Sequence, residues 1–261
     1  MIALVGSPGP LTDAVEASLR AGGTATLRCA LGDRTALDGP PLTFRIEHLG
    51  TLLDRLRAWG VAGVCLAGAV RRPVLDPEEV DALTAPLLPG LRAALGQGDD
   101  GALRWAMGAF EAAGLRVLAA HDLAPHLLPP PGVLSRARPT PAIEADAARA
   151  AALHRLLSPA DLGQALVVRG GEVLAVEASP GTDHMLRSVA GLGQGALLFK
   201  APKAGQDRRA DLPVVGPGTI RGAVAAGLAA VVIEAGGVML LARDEAVALA
   251  DAAGLVLWVR P

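Results

Sequence analysis

Short apolar runs alternating with amphipathic stretches fill the first 120 residues, and this alternation narrows the choice of fold more than any other feature. IALV (2–5) leads through the loop GSPGP to LTDAVEASLRAG, and TATLRCA (24–30) follows. HLGTLLDRLRAWG then precedes VAGVCLAG (61–68), and DDGALRWAMGAFEAAG precedes LRVLAA (115–120). Strands that recur between helices, with little polar alternation of their own, belong to a parallel sheet covered by helices. The expectation is an α/β chain whose N-terminal domain, residues 1–128, is Rossmann-like.

The stretch LLPPPGVLSRARPTPA interrupts every period. Proline lacks a backbone donor and fixes φ, so a semi-rigid Pro-rich linker is expected over 129–142. Beyond it, residues 143–261 read as a mixed α/β domain. An alanine-rich helix (143–157) precedes two β runs, QALVVRG and EVLAVEA, joined by a glycine turn. TDHMLRSVAGL reads as a helix capped by Thr182. ALLFK, a helix from Pro217 to Gly227, AAVVIEA, VMLLA, a helix from Asp244 and LVLWV complete the order. Glu234 and a Gly-Gly pair break the apolar stretch 225–242, which predicts a hairpin rather than a membrane span. Two domains of similar size create a cleft where a ligand can bind.

Composition excludes some functions. Lys and Arg number 24 against 26 Asp and Glu, the formal charge is −2, and no long basic run occurs. A nucleic-acid partner is therefore not expected. The segment MIALVGSPGP lacks the basic region of a secretory signal, and Cys29 and Cys65 sit in strand-like apolar runs. Buried thiols in a cytoplasmic protein are the expectation. There is no Walker A pattern, no GxSxG elbow and no HExxH.

The chemistry concentrates in ALLFKAPKAGQDRRADLPVVGPGT (196–219). Lys200 and Lys203 are the two lysines of the chain, and the other 22 basic positions are arginine. Lysine is a compact charge on a flexible stem, whereas arginine is a wide planar fork, so a pocket shaped for a small cation can reject arginine. Pro202 pushes Ala201 towards extended backbone, so Lys200 closes a strand and Lys203 enters a loop carrying Gln206, Asp207, Arg208, Arg209 and Asp211. Two ammonium groups followed by acids suit a diphosphate bound with a metal; the bland alternative is a solvated loop of weak ion pairs.

Other stretches carry two readings each. In VEASPGTDHM, Glu177 ends a strand while Thr182 and Asp183 start a helix, which suits either a phosphate with a divalent cation or an ordinary capped turn. GSPGP, with Gly6, is a phosphate cradle or a plain turn. GDDGALR places Gly98, Asp99 and Asp100 at a helix start, facing a cleft or only capping. His121 follows a strand at the end where α/β ligands bind, as an acid–base group or a loop residue.

DLGQALVVRGGEVLAVEASPGTDHMLRSVA and KAPKAGQDRRADLPVVGPGT, together spanning Asp161 to Thr219, resemble the C-terminal half of a bacterial UDP-2,3-diacylglucosamine hydrolase family of lipid A biosynthesis. It is the family unrelated to calcineurin-like phosphoesterases, whose GNH motif needs an asparagine that this chain lacks. GDDGALR and AGAVRRP (67–73) are weaker matches, with Ala69 where the family carries Asn and GSPGP where it carries a glycine-rich loop. The resemblance implies a two-domain cytoplasmic enzyme, dimeric, in peripheral contact with the inner membrane, that uses Mg²⁺ to split a lipid-linked nucleotide sugar. UMP and 2,3-diacylglucosamine 1-phosphate (lipid X) would be the products. It implies catalysis by Asp211, with Lys200 and Lys203 on the diphosphate. Thr182, Asp183, Gln206, Gly98, Asp99, Asp100, His121 and Gly6 would bind substrate, and Asp211, Asp183 and Glu177 would be the metal ligands. The rivals are a Mg²⁺-dependent hydrolase of another nucleotide diphosphate and a non-catalytic nucleotide or lipid sensor.

Overall fold

The computed structural model describes residues 1–68, 74–96 and 98–261, with Asp99 and Asp100 described in their backbone only. The chain divides into two compact units, one of Met1–Pro125 with Asp207–Asp211, the other of His126–Gln206 with Leu212–Pro261.

The first unit runs β1 (Ile2–Val5), α1 (Pro10–Ala21), β2 (Thr26–Leu31), β3 (Leu42–Phe44), α2 (Leu49–Ala58), β4 (Gly63–Leu66), α3 (Leu88–Leu95), α4 (Gly98–Ala112), β5 (Arg116–Val117) and α5 (Ala120–Leu123). Its five strands are parallel in the order β3-β2-β1-β4-β5, with Ile2 opposite Thr26 on one side and Gly63 on the other. This is the Rossmann-like half expected from the alternation. β1 is buried along its whole length because helices cover both faces of a parallel sheet. Ala3, Leu27, Leu42, Val64 and Val117 pack with Leu52 and Leu56 of α2 and Met107 and Phe110 of α4. The stretch 84–95 ends in α3, which sets Leu91 and Ala94 into the interior. Cys29 and Cys65 are buried free thiols, each pushed up to about 12 by burial.

The second unit contributes β6 (Gly132–Val133), α6 (Pro141–Leu157), β7 (Ala165–Arg169), β8 (Glu172–Val176), α7 (Thr182–Ser188), β9 (Leu197–Lys200), β10 (Val214–Val215), α8 (Pro217–Ala225), β11 (Ala230–Glu234), β12 (Met239–Leu240), α9 (Arg243–Ala253) and β13 (Val256–Arg260). The main sheet is mixed, in the order β6-β13-β11-β9-β7-β8, with β9, β11 and β13 parallel and both edges antiparallel. One face packs on α7, α8 and α9 through residues such as Val231, Ile233 and Leu257; the other packs on α6 through Leu197, Phe199 and Val232. The β7–β8 turn is a pair of left-handed glycines, Gly170 and Gly171. Both of their N–H groups donate to the buried carboxylate of Asp146 on α6, at 2.8 and 2.7 Å.

Two expectations change. The Pro-rich stretch, expected as a semi-rigid linker, also contributes to a sheet. Its proline-free centre, Gly132–Val133, forms edge strand β6 on β13, and Ser135 Oγ accepts the Leu257 N–H at 2.8 Å. The segment 225–242 is not a hairpin either: β11 lies between β9 and β13, whereas β12 pairs in parallel with β10 in a separate two-stranded sheet. Gly236 and Gly237 turn the chain, but the strands they join belong to different sheets. Among the described residues, no helix is long and apolar enough to cross a membrane.

Candidate functional site

In the second unit, three adjacent strand and helix ends bring together the residues singled out around the lysines. Lys200 is the last residue of β9 and is only 7% exposed, a burial that lysine tolerates when its ammonium has partners. Its Nζ donates to the Thr182 hydroxyl at 2.7 Å. That hydroxyl donates in turn to Glu177 Oε1 at 2.5 Å, and Glu177 Oε2 accepts the Gln164 N–H at 2.9 Å. Thr182 is not the cap of α7, as expected from the sequence. The cap position is Gly181, at φ +83°, and Thr182 is the first helical residue, its hydroxyl turned back to the end of β8. Asp183 follows in the first turn and is exposed.

Glu177 is 8% exposed and is gripped through its main chain as well, its N–H donating to the Ala165 carbonyl at 2.8 Å. Gly163 passes so close that an added Cβ would lie 2.4 Å from the Glu177 carbonyl oxygen and 2.7 Å from its Cβ. Gly163→Ala is therefore expected to push this corner apart at a cost of about 1–3 kcal/mol, the usual range for overpacking. A thermal melt of the purified variant measures it.

Lys203 enters the following loop and forms an ion pair with Asp161, which itself sits in the left-handed region at φ +50°. Gln206 Oε1 fixes the loop from inside, accepting the Lys203 N–H at 3.1 Å and the Gln164 Nε2 at 3.0 Å. The Ala204 N–H donates to Ser158 Oγ at 3.1 Å. Behind the strand end, His154 of α6 is buried edge-on against Phe199, with burial pushing its pKa down. Asp161, Gln164 and His154 were not singled out from the sequence. Asp161 and Gln164 lie inside the family-like stretch that begins DLGQ, so a signal for them was present; a histidine in an alanine-rich helix gives none.

The stretch from Lys200 to Asp211 does not stay in one unit, although the sequence reading placed all of it in the C-terminal domain. Asp207–Asp211 folds with the first unit. Asp207 accepts from the Arg209 N–H at 3.0 Å and from its Nη2 at 2.8 Å, and Arg209 Nη1 reaches Glu111 of α4 at 2.7 Å. Ala210 packs against the first unit's core. The Arg209 guanidinium holds the Asp207 carboxyl below the ordinary aspartate range. Asp211 is half-buried, its N–H directed at the Asp207 carbonyl at 3.4 Å.

The remaining first-unit residues are placed as follows. Gly6 ends β1 at φ +149°, and an added Cβ there would lie 2.2 Å from the Ala67 carbonyl oxygen. Thr12 bridges the ends of β1 and β4 by its hydroxyl, 3.1 Å from the Ser7 carbonyl and 3.0 Å from that of Ala67. Gly98 opens α4; the side chains of Asp99 and Asp100, and residues 69–73 of AGAVRRP, lie outside the described residues. His121 is on the short α5, its Nδ1 buried without a hydrogen-bond partner and its Nε2 3.7 Å from Asp122.

Among the described residues, no group of three or more His, Cys, Asp or Glu side chains is placed to hold a metal ion. Both carboxylate oxygens of Glu177 already accept hydrogen bonds. A cage built from described side chains alone does not fit these residues; a hard cation brought in on phosphate oxygens, with one carboxylate donor, does.

Comparison with known proteins covers both units. Residues 1–127 match the LpxI N-terminal domain and residues 130–258 the LpxI C-terminal domain. A protein of Caulobacter vibrioides named UDP-2,3-diacylglucosamine pyrophosphatase LpxI is 38% identical over 264 aligned positions, covering 97% of this chain and 94% of that protein. With both halves matched in order and almost every residue aligned to that relative, the chain belongs to the LpxI family.

Proposed function

We propose that this chain hydrolyses the pyrophosphate bond of UDP-2,3-diacylglucosamine, giving UMP and 2,3-diacylglucosamine 1-phosphate. The observation that carries this reading is the near-complete alignment with a relative named for that substrate, with both lysines of the chain at one strand end. Water adds to one phosphorus, the bridging P–O bond breaks, and the two phosphates leave on separate products with the proton released to solvent. Lys200 and Lys203 counter the charge that moves onto the leaving phosphate. One such pair contributes about 4 kcal/mol at roughly 4 Å and an effective dielectric of about 20, before desolvation is subtracted. Preorganised charge of this kind is how sites lower phosphoryl-transfer barriers.

Asp211 is assigned to Mg²⁺ ligation or to activating the attacking water. Mg²⁺, when bound, polarises the phosphoryl oxygens; small hard cations of this type keep water ligands and are held by a carboxylate or two plus substrate phosphates. Asp183, exposed in the first turn of α7, is an oxygen donor available to phosphate-borne metal. Each buried methylene of an acyl chain favours the bilayer by about 0.8 kcal/mol, so the enzyme meets its substrate at a membrane surface.

The test is release of UMP from UDP-2,3-diacylglucosamine by purified protein, with and without EDTA. Release that depends on the divalent cation and is lost with a water-soluble UDP-sugar is the expected result. Equal hydrolysis of the soluble sugar would favour a general nucleotide-diphosphate hydrolase, and lipid retention without UMP would favour a sensor.

A further inference from the structure

The hydrogen-bond chain from Gln164 to Lys200 has only one polarity. A lysine ammonium donates and cannot accept, and a carboxylate accepts and cannot donate. The Thr182 hydroxyl between them must therefore give its proton to Glu177 and offer its lone pairs to Lys200. Free hydroxyls rotate; this one is held from both sides. The carboxylate that sets its direction is itself held, by the Gln164 N–H on Oε2, while the Glu177 main chain is anchored by its N–H on the Ala165 carbonyl and by the close passage of Gly163. Lysine's weakness as a positioned charge is the freedom of its four-carbon stem. Here the stem is buried and the head is tied to an oriented acceptor.

We infer that Glu177 is a positioning residue of the reaction, aiming the Lys200 ammonium through the Thr182 hydroxyl rather than ligating metal. The inference rests on the diphosphatase reading above, because it needs Lys200 to meet the substrate's phosphates. It also accounts for lysine at position 200. A hydroxyl oriented at a buried strand end suits the compact ammonium of lysine, whereas arginine would bring a wide planar fork of five donors to the same place.

A residue that works only through Lys200 costs nothing more once Lys200 is gone, so a double-mutant cycle isolates the role. Glu177→Gln keeps the side chain's shape and removes its charge; alone, it is expected to lower kcat for UMP release about 30-fold with KM within about 3-fold. In a Lys200→Met background the same change is expected to lower kcat less than 2-fold. Thr182→Val, which removes the hydroxyl at constant shape, is expected to lower kcat about as much, and Thr182→Ser to recover most of that loss. Melting temperatures of all variants identify any that fail to fold.

With two lysines in the chain, ¹⁵N-lysine labelling gives a second, activity-free reading. The Lys200 ammonium signal should exchange slowly with water in the wild type and quickly in Thr182→Val. Equal kcat losses from Glu177→Gln with and without Lys200, or fast exchange in the wild type, overturn the relay and leave the diphosphatase reading standing. A metal-ligand role shows itself as a raised Mg²⁺ requirement in Glu177→Gln that persists without Lys200, and that also overturns the relay. Wild-type protein that releases no UMP overturns the functional reading, and with it any catalytic meaning of the relay.

Discussion

Asp211→Asn is expected to lower kcat/KM for UMP release at least 100-fold while the protein still folds and melts within a few degrees of the wild type. Asparagine keeps the size and one oxygen of the side chain but removes the negative charge that a metal ligand or a general base requires. Losses of about 10²–10⁴ are typical when such a group is removed. The fold is expected to survive because groups other than the Asp211 side chain also anchor Asp207–Asp211. Asp207 grips Arg209, Arg209 reaches Glu111, and Ala210 packs on the first unit's core. Two further measurements on the same variant separate the roles. A ligand lost from Mg²⁺ raises the metal concentration needed for half-maximal rate, whereas a lost base removes the acid limb of the pH–rate profile. Wild-type turnover in Asp211→Asn would remove Asp211 from the mechanism and leave the lysines without a partner in chemistry.

That experiment probes a residue whose type the sequence made conspicuous but whose surroundings it did not. The five-stranded parallel sheet was legible because both of its faces are covered, which forces β1 and β4 to be apolar without alternation. β6 was not, because two residues among prolines become a strand only through β13, more than 120 positions away. The Gly236–Gly237 turn misled for a related reason. A glycine pair reports that the chain reverses there, not which sheet each arm joins, and β11 and β12 join different ones. The division of the lysine loop follows the same logic. Arg209 and Glu111 are 98 positions apart, and no local pattern announces their pairing. Within the site, lysines in an arginine-rich chain stood out on residue type alone. Thr182 did not reveal its role, since a threonine after Ser-Pro-Gly reads as a cap until the partner of its hydroxyl is known.

The largest stability effect should come from that same hydroxyl's partner. Glu177→Ala is expected to destabilise the protein by about 3 kcal/mol, the usual scale for removing one member of a buried charged pair. The loss has three sources. The Gln164 N–H and the Thr182 hydroxyl lose their acceptor, and the Lys200 ammonium stays buried without the carboxylate beyond that hydroxyl. At about 2–4 °C per kcal/mol for a protein of this size, the melting temperature should fall by roughly 10 °C. Adding Lys200→Met to Glu177→Ala should raise stability above that of the single variant, because a buried thioether needs no counter-charge whereas a buried ammonium does. The order of the two melts carries the physics. A double variant less stable than Glu177→Ala would mean that Lys200 helps the fold through contacts independent of Glu177. A single variant within about 1 kcal/mol of the wild type would mean that water reaches this corner and that the relay is not desolvated. In either case lysine at position 200 would lose the explanation that a fixed, buried acceptor gives it.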